Sequence, residues 1–287
     1  MKTNVNQLVK QAIQGKVRHP IIRLPGYRVC ADGIPRIVPG TGTITYNFKI
    51  GDCCMGMLGD HVEPGVSTKN SDEMEDGAYN IFACVGNEAK IISGEAKGAV
   101  GFVTGKHGGS DHVMCYFNEE VLEKLTLDDK ILIKAFGTGL KLADYPSITC
   151  MNLDPALFEK MNIIEQEHYI EVGVTHIIPA KIMGSGLGQS STYSGDYDIM
   201  TRDEKAYEAY NLNTLRYGDL VFISDHHSAF GPDYQEAAGT VGIIIHGDSY
   251  MSGHGPGMTV LLTAKGNVIR PFIDKDANLA NYFREKL

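Results

Sequence analysis

The stretch "FISDHHSAFG", residues 222 to 231, closes a strongly apolar run, Leu220-Val221-Phe222-Ile223, and sets Ser224, Asp225, His226 and His227 directly after it. A buried strand gains free energy by hiding its side chains, whereas carboxylate and imidazole groups resist burial unless something pairs with them. Strand followed at once by titratable groups is the pattern of a sheet whose ends present chemistry to solvent. If Leu220 to Ile223 is a buried strand, its side chains alternate between faces. Asp225 and His227 then point one way and His226 the other, with His226 facing the pocket.

The same grammar recurs along the chain. Glycines, 33 in all, punctuate short β-rich runs, as expected of a strand-dominated fold with working loops. Strands are expected at 43–50, 78–84, 99–104, 112–116, 131–136, 170–177, 220–224, 240–246 and 258–263. Helices are expected at 5–14, 118–124, 155–161, 203–210 and 277–285, where an acidic or amide residue often precedes a 3.6-residue apolar pattern. The Pro-started helix in "MNLDPALFEKMNIIEQEH" interrupts the strand series. The expected fold is therefore α+β and β-rich: two sheet or barrel-like subdomains, 1–155 and 156–287, with a few peripheral helices and a site at their interface. A faint echo supports two halves. "VGFVTGKHGGSDHVMCYF" and "VGIIIHGDSYMSGHGPGMTVLL" both run from a Val-Gly strand through a His-Gly loop with a second histidine into another strand, and "GDCCMGMLGDH" parallels "GDLVFISDHH".

Composition narrows the partners. A net charge of -9, from 26 Lys+Arg against 35 Asp+Glu, works against a phosphate backbone, which needs clustered cations. The basic run "KVRHPIIR", holding Lys16, Arg18, His19 and Arg23, reads as a solvated surface, with anion binding as the alternative. No stretch approaches the roughly 20 apolar residues of a membrane span, and the opening residues lack a signal-peptide apolar region, so a cytoplasmic protein without nucleic-acid or membrane partners is expected. The six cysteines lack CxxC spacing and read as small buried hydrophobes. No tryptophan and 8% aromatic residues give modest means of building one large core, so exposed sheet edges are expected to be covered in a homo-oligomer.

Four clusters carry the candidate chemistry: "GDHVEPG" (Asp60, His61, Glu63), "GKHGGSDH" (His107, Asp111, His112), "SDHHSAFG" (Asp225, His226, His227) and "HGDSYMSGHGPG" (His246, Asp248, His254). Seven of the ten histidines lie in them, which favours one shared polar pocket over four unrelated turns. Imidazole with carboxylate suits a zinc-like divalent cation and equally an acid/base pair near neutral pH. Asp60, His61, Asp225 and His226 are the expected metal ligands. His107, His112 and His254 are the expected general base or oxyanion partners. The glycine-rich "GSGLGQSS" can present backbone N–H groups to an anion, so Ser185 and Gly186, together with Asp196 of "SGDYDIMT", are the expected substrate-binding residues. Asp196 and Asp198 face one side of an extended segment and are either spare ligands or caps for the helix that follows. HExxH and GxSxG are absent.

The motifs "GDHVEPGVS", "HGGSDHV", "KAFGTGLKL", "GSGLG", "GDYDIMT", "LRYGDLV" and "GHGPGMTVLL" together resemble the DUF4438 domain-of-unknown-function family over almost the whole chain. The resemblance implies a β-rich two-part fold and a small-molecule role, and brings no catalytic residues to carry over. Where a single histidine or Asp-x-Asp is expected, this chain has the doubled His226-His227. A more distant likeness, in long strands, Gly-Asp turns and His/Asp loops, is to the acetamidase/formamidase group, which hydrolyses small amides at a metal-containing site. The expected function is a metal-dependent hydrolase of a small polar metabolite, acting at a C–N (amide-type) bond. Metal-free lyase or isomerase chemistry and non-catalytic metabolite binding are the alternatives.

Overall fold

The computed structural model describes residues 1–22, 26–186 and 191–286. Six strands close into a barrel. Gln11–Val17 pairs with Lys130–Ala135, and the order continues through Glu88–Ile91, Val100–His107, His112–Tyr116 and Gly65–Lys69. The last strand returns to the first through Lys16↔Lys69 and Val17↔Thr68. Closure removes the free edges that an open sheet would expose. The strand Lys130–Ala135 shows the driving pattern: Ile131, Ile133 and Ala135 are buried, while Lys130 and Lys134 are exposed. Val17, Val66, Ile91, Val103 and Val113 fill the same core, each contributing about 1.5–3 kcal/mol by leaving water. Helix Glu73–Phe82, capped by Asp72 accepting from the N–H groups of Met74 and Glu75, drops Tyr79 onto this core. A Cβ at Gly15 would collide with the Tyr79 ring, so that strand passes beneath the helix only as glycine.

The second half builds a sheet in the order Thr149–Cys150, Gly257–Ala264, Asp233–Ile244, Leu220–His227, His176–Pro179, with Tyr197–Asp198 also paired to Gly257–Ala264. A three-stranded sheet, Ile163–Glu165, Ile170–Val174 and Ile269–Ile273, packs beside it. Leu220, Val221, Phe222 and Ile223 are all buried in the larger core, as their unbroken apolar run requires.

The α+β, β-rich class holds, with one closed barrel and further open sheets. Several elements differ from the sequence reading. Residues 5–14 are not a helix: a 3₁₀ turn at Val5–Gln7 precedes strand Gln11–Val17, because barrel pairing outweighs the local apolar spacing. Residues 78–84 are mostly helical, nucleated by the upstream Asp72 cap and the acids Glu73, Glu75 and Asp76 in the first turn. Residues 43–50 hold only the short strand Ile44–Thr45. The run 170–177 splits at Thr175, whose N–H donates to Leu220 O at 2.8 Å, into strands that belong to two different sheets. All six cysteines are free thiols, and five are buried.

Candidate functional site

The seam between barrel and second sheet gathers five histidines and four carboxylates. Two hairpins supply the histidines at its centre. In the barrel, Val100–His107 ends on His107 and His112–Tyr116 begins on His112. In the second sheet, His246 follows Asp233–Ile244, and His254 precedes Gly257–Ala264. Each hairpin carries a β-bulge, at Val103/Gly105 and Val241/Gly242, which re-aims the strand end. His61 comes from the segment that crosses from the barrel onto the second half. Its N–H donates to Asp248 O at 3.1 Å, and it sits at φ 54, in the left-handed region that non-glycine residues occupy at a cost. Asp196 and Asp198 flank Tyr197 on a short strand, so both carboxylates face the histidines. Tyr197 faces away, its hydroxyl donating to Thr192 Oγ1 at 2.9 Å.

Two sets result. His61, Asp198 and His254 form one; His107, Asp196 and His246 form the other. Within each set the candidate ligand atoms lie within 4.8 Å of one another. Asp198 joins them: its Oδ2 lies 3.4 Å from His61 Nε2 and 2.9 Å from His254 Nδ1, while its Oδ1 lies 3.5 Å from His246 Nε2. His246 Nε2 also meets Asp196 Oδ2 at 2.9 Å. The His107 and His246 rings are 4.4 Å apart between centroids, and those of His61 and His246 4.8 Å. Gly257 makes this possible, since a Cβ there would fall on Asp196 Oδ2 and His246 Nε2.

Behind the sets, acceptors fix the rings. Asp60 Oδ2 lies 3.2 Å from His61 Nδ1, and Asp60 Oδ1 accepts from Ser249 Oγ at 2.6 Å. Gly247 O lies 2.9 Å from His246 Nδ1. The fully buried Glu63 takes His107 Nδ1 on Oε1 and Ser67 Oγ and Gly42 N–H on Oε2, with His112 Nδ1 3.0 Å from Oε2. A carboxylate or carbonyl on Nδ1 holds the tautomer that leaves Nε2 free as a ligand. Burial works against the charge of Glu63, yet the His107 and His112 contacts hold its carboxyl well below the usual range. Burial likewise opposes charge on Asp198, which His246, His254 and His61 nonetheless keep ionised to unusually low pH. In return, and against their own burial, His246 is raised well above its ordinary value by Asp196 and Asp198, and His61 is raised by Asp198 and Asp60.

The sets face a cleft of about 490 Å³ lined also by Arg18, Arg28, Lys69, Ser110 and Ser194. Ser185 and Gly186 line it too, while residues 187–190 of the same glycine-rich stretch lie outside the described residues.

The structure thus brings together His61, His107, His254 and Asp196, and gives other places to the rest of the expected site. Asp60 stands behind His61 rather than among the ligand atoms. His112 is fully buried behind Glu63 and does not line the cleft. Asp225 and His226 belong to neither set and are set aside as ligands. A bulge between Ser224 and His226 breaks the strand alternation, with Asp225 at φ 58 and its Oδ1 accepting from Ala237 N–H at 2.8 Å. His226 turns into the sheet interior, 1% exposed, with Nδ1 3.1 Å from Thr240 Oγ1. Sequence reading left Glu63 and His246 without roles and Asp198 as a spare. Asp198 had a signal in the Asp-x-Asp spacing, which puts two polar groups on one face of extended chain.

Fold and site define a class: a barrel joined to a second β-sheet, with a histidine–carboxylate centre at the seam. The chain belongs to the DUF4438 family. The family's N-terminal domain of unknown function matches residues 27–159 and its C-terminal domain matches residues 160–283. A crystal structure of TM1086 is similar over 98% of this chain and 99% of its own, at 44% sequence identity and a TM-score of 0.94. No curated protein matches the chain. Among the described residues, no helix is long and apolar enough to cross a membrane.

Proposed function

We propose that the protein is a metal-dependent hydrolase of a small polar molecule, acting at an amide-type C–N bond, with two divalent cations held by the two sets. The observation that carries this reading is Asp198, whose two oxygens reach the histidines of both sets. Two cations held by the two sets would share Asp198, as the metals of two-metal hydrolytic sites share a carboxylate. Two imidazole nitrogens and one carboxylate in each set suit zinc, manganese or nickel. Once the imidazoles are neutral, as metal binding requires, Asp196 and Asp198 would leave negative charge beside the ions, backed by Asp60 and Glu63.

The cations would lower the pKa of bound water toward 7 and polarise the carbonyl. The chain's own residues position them: Asp60, Glu63 and Gly247 O orient the rings, and the Gly108 N–H, donating to Asp196 Oδ1 at 2.7 Å, fixes the second carboxylate. In the reaction a water oxygen bonds to the carbonyl carbon, the C–N bond breaks, and the leaving nitrogen takes the proton. The choice of an amide bond rests on the distant likeness in layout to the acetamidase/formamidase group. Metal analysis of full-length protein purified without chelator tests the reading, together with amine release from a panel of small amides. Near two ions per chain and metal-dependent release are expected; substoichiometric metal with no rescue by zinc, manganese or nickel would overturn it.

A further inference from the structure

The cleft wall carries a cation that the metal centre does not use. Arg18 follows barrel strand Gln11–Val17, and its backbone is pinned by N–H donation to Ser67 O at 2.9 Å. Its side chain lines the same cleft as His61, His107, Asp196, Asp198 and His254. The Nε atom is buried with no hydrogen-bond partner among the described residues, and no carboxylate pairs with the guanidinium there. Among the described residues, its basic neighbours each have a carboxylate partner. Lys16 and His19 share Asp128, at 2.8 and 3.1 Å, and Lys69 is held by Asp111 and Asp76, at 3.0 and 3.3 Å. Arg28, also on the cleft, has Asp60 Oδ2 at 3.7 Å. A buried, unpaired N–H of a charged group is costly unless a partner arrives. In a net-acidic chain whose described neighbouring cations are all paired, the missing partner is an anion from outside.

We propose that the substrate carries a carboxylate, bound by the fork of Arg18, so that the hydrolase acts on small N-acyl acids. This rests on the hydrolase reading and adds its substrate class. A guanidinium offers parallel N–H donors that match a carboxylate's two oxygens. The carboxylate on Arg18 leaves the amide to lie over the histidine–carboxylate sets across the cleft. A volume of about 490 Å³ holds such a molecule, within the range of small-molecule clefts. Hydrolysis then gives a free carboxylic acid from the acyl group and an amino acid: water's oxygen goes to the acyl carbon and its proton to the nitrogen.

The test uses metal-loaded, full-length wild type, Arg18→Gln and Arg18→Lys. Each meets N-formyl, N-acetyl and N-carbamoyl derivatives of glycine, alanine, aspartate and glutamate, presented as free acids and as the matching α-carboxamides. Amine release and calorimetric binding are both read, with metal content and thermal midpoint as controls. Wild type is expected to favour at least one free acid over its carboxamide by at least about tenfold. Arg18→Gln should abolish that preference with metal content unchanged, and Arg18→Lys should restore part of it. Equal treatment of acids and carboxamides, a preference surviving in Arg18→Gln, or no panel member bound by wild type would overturn the proposal. If free acids bind through Arg18 while the protein takes up no metal and releases no amine, the hydrolase reading fails and the carboxylate site stands.

Discussion

His226 should make the protein sensitive to acid in a way that one substitution removes. The Thr240 hydroxyl donates to His226 O at 2.9 Å, and His226 Nδ1 has Thr240 Oγ1 at 3.1 Å and Ser228 Oγ at 3.3 Å beside it. Its Nε2 is buried with no partner among the described residues, so a charged ring would have an N–H there with no acceptor. Burial accordingly pushes the imidazole down to about 4, helped by the neighbouring His227. An unfolded chain protonates the same ring near 6.5. Between those values the unfolded state binds more protons, so stability is lost as pH falls from about 6.5 to about 4 and levels off below. At about 1.36 kcal/mol per pH unit the full span is worth about 3 kcal/mol, most of it gone by roughly pH 4.5. His226→Gln cannot titrate. Urea unfolding followed by far-UV circular dichroism, at pH 7.5 and 4.5 on metal-free protein, gives the comparison. The variant is expected to be the less stable protein at pH 7.5, by about 1–2 kcal/mol for its poorer hydrogen bonding. The gap should shift in its favour by about 2–3 kcal/mol at pH 4.5. The other histidines titrate in both proteins and cancel. A wild-type-to-variant difference that is the same at both pH values would refute the argument.

Other consequences concern the seam. Asp198→Asn should cost both ions, since its oxygens reach both sets; metal analysis showing one ion retained at full occupancy would assign Asp198 to a single set. Glu63→Gln keeps its volume but loses the charge that orients His107, and should weaken metal affinity by about 10–100-fold in a competition titration. Gly257→Ala should cost about 1–3 kcal/mol by overpacking and displace Asp196 from His246, read as a lower thermal midpoint together with lost metal. Because His61 and His246 are raised above 6.5 in the metal-free protein, they must shed protons to bind a cation. Metal affinity should therefore climb with pH above neutrality before levelling off, and calorimetry in buffers of different ionisation enthalpy should detect proton release; a pH-independent affinity would contradict this.

The class of fold and the strands around 100–107, 112–116, 130–135, 220–227 and 257–264 were legible because burial leaves a plain record, alternation in Lys130–Ala135 and an unbroken apolar run in Leu220–Ile223, whereas barrel strands Gln11–Val17, Gly65–Lys69 and Glu88–Ile91 were not. The gathering of histidines was legible for a related reason, since imidazoles placed at strand ends beside glycine have few uses inside a core. Choosing among them was not. The apparent parallel between "GDCCMGMLGDH" and "GDLVFISDHH" made Asp225 and His226 look equivalent to Asp60 and His61. A single bulge residue, Asp225 at φ 58, turns that pair into a hairpin bracket and a core histidine. Bulges leave little trace in one sequence, because several residue types besides glycine tolerate them. Helix Glu73–Phe82 was misread for the opposite reason: Gly77 and the aromatics Tyr79 and Phe82 argue against helix, and only the capping residues upstream argue for it.

A site at the interface of two halves was an expectation of the sequence; how the halves are held against each other was not. His61, Glu63 and His107 come from the first half, and Asp196, Asp198, His246 and His254 from the second, so ligand geometry is set by how the two dock. The docking contacts are of a kind that fixes position. A Cβ at Gly105 would strike Ile245, so the barrel strand lies directly on the second half there. Thr259 Oγ1 accepts from Lys106 N–H at 3.0 Å and donates to Lys106 O at 3.1 Å, tying the residue beside His107 to the strand that follows His254. The Lys106 side chain, fully buried, donates to Ile81 O, Asn152 Oδ1 and Tyr193 O at 3.1, 2.8 and 2.6 Å, and burial brings its pKa down to about 7. Asn152 in turn donates to Thr192 O, at 3.1 Å, in the segment leading to Asp196. Hydrophobic contact alone would let the halves slide by fractions of an ångström at little cost, whereas directional bonds along the seam do not. The polar groups buried beside the centre are thus what allows side chains from two independently built sheets to meet at ligand distance.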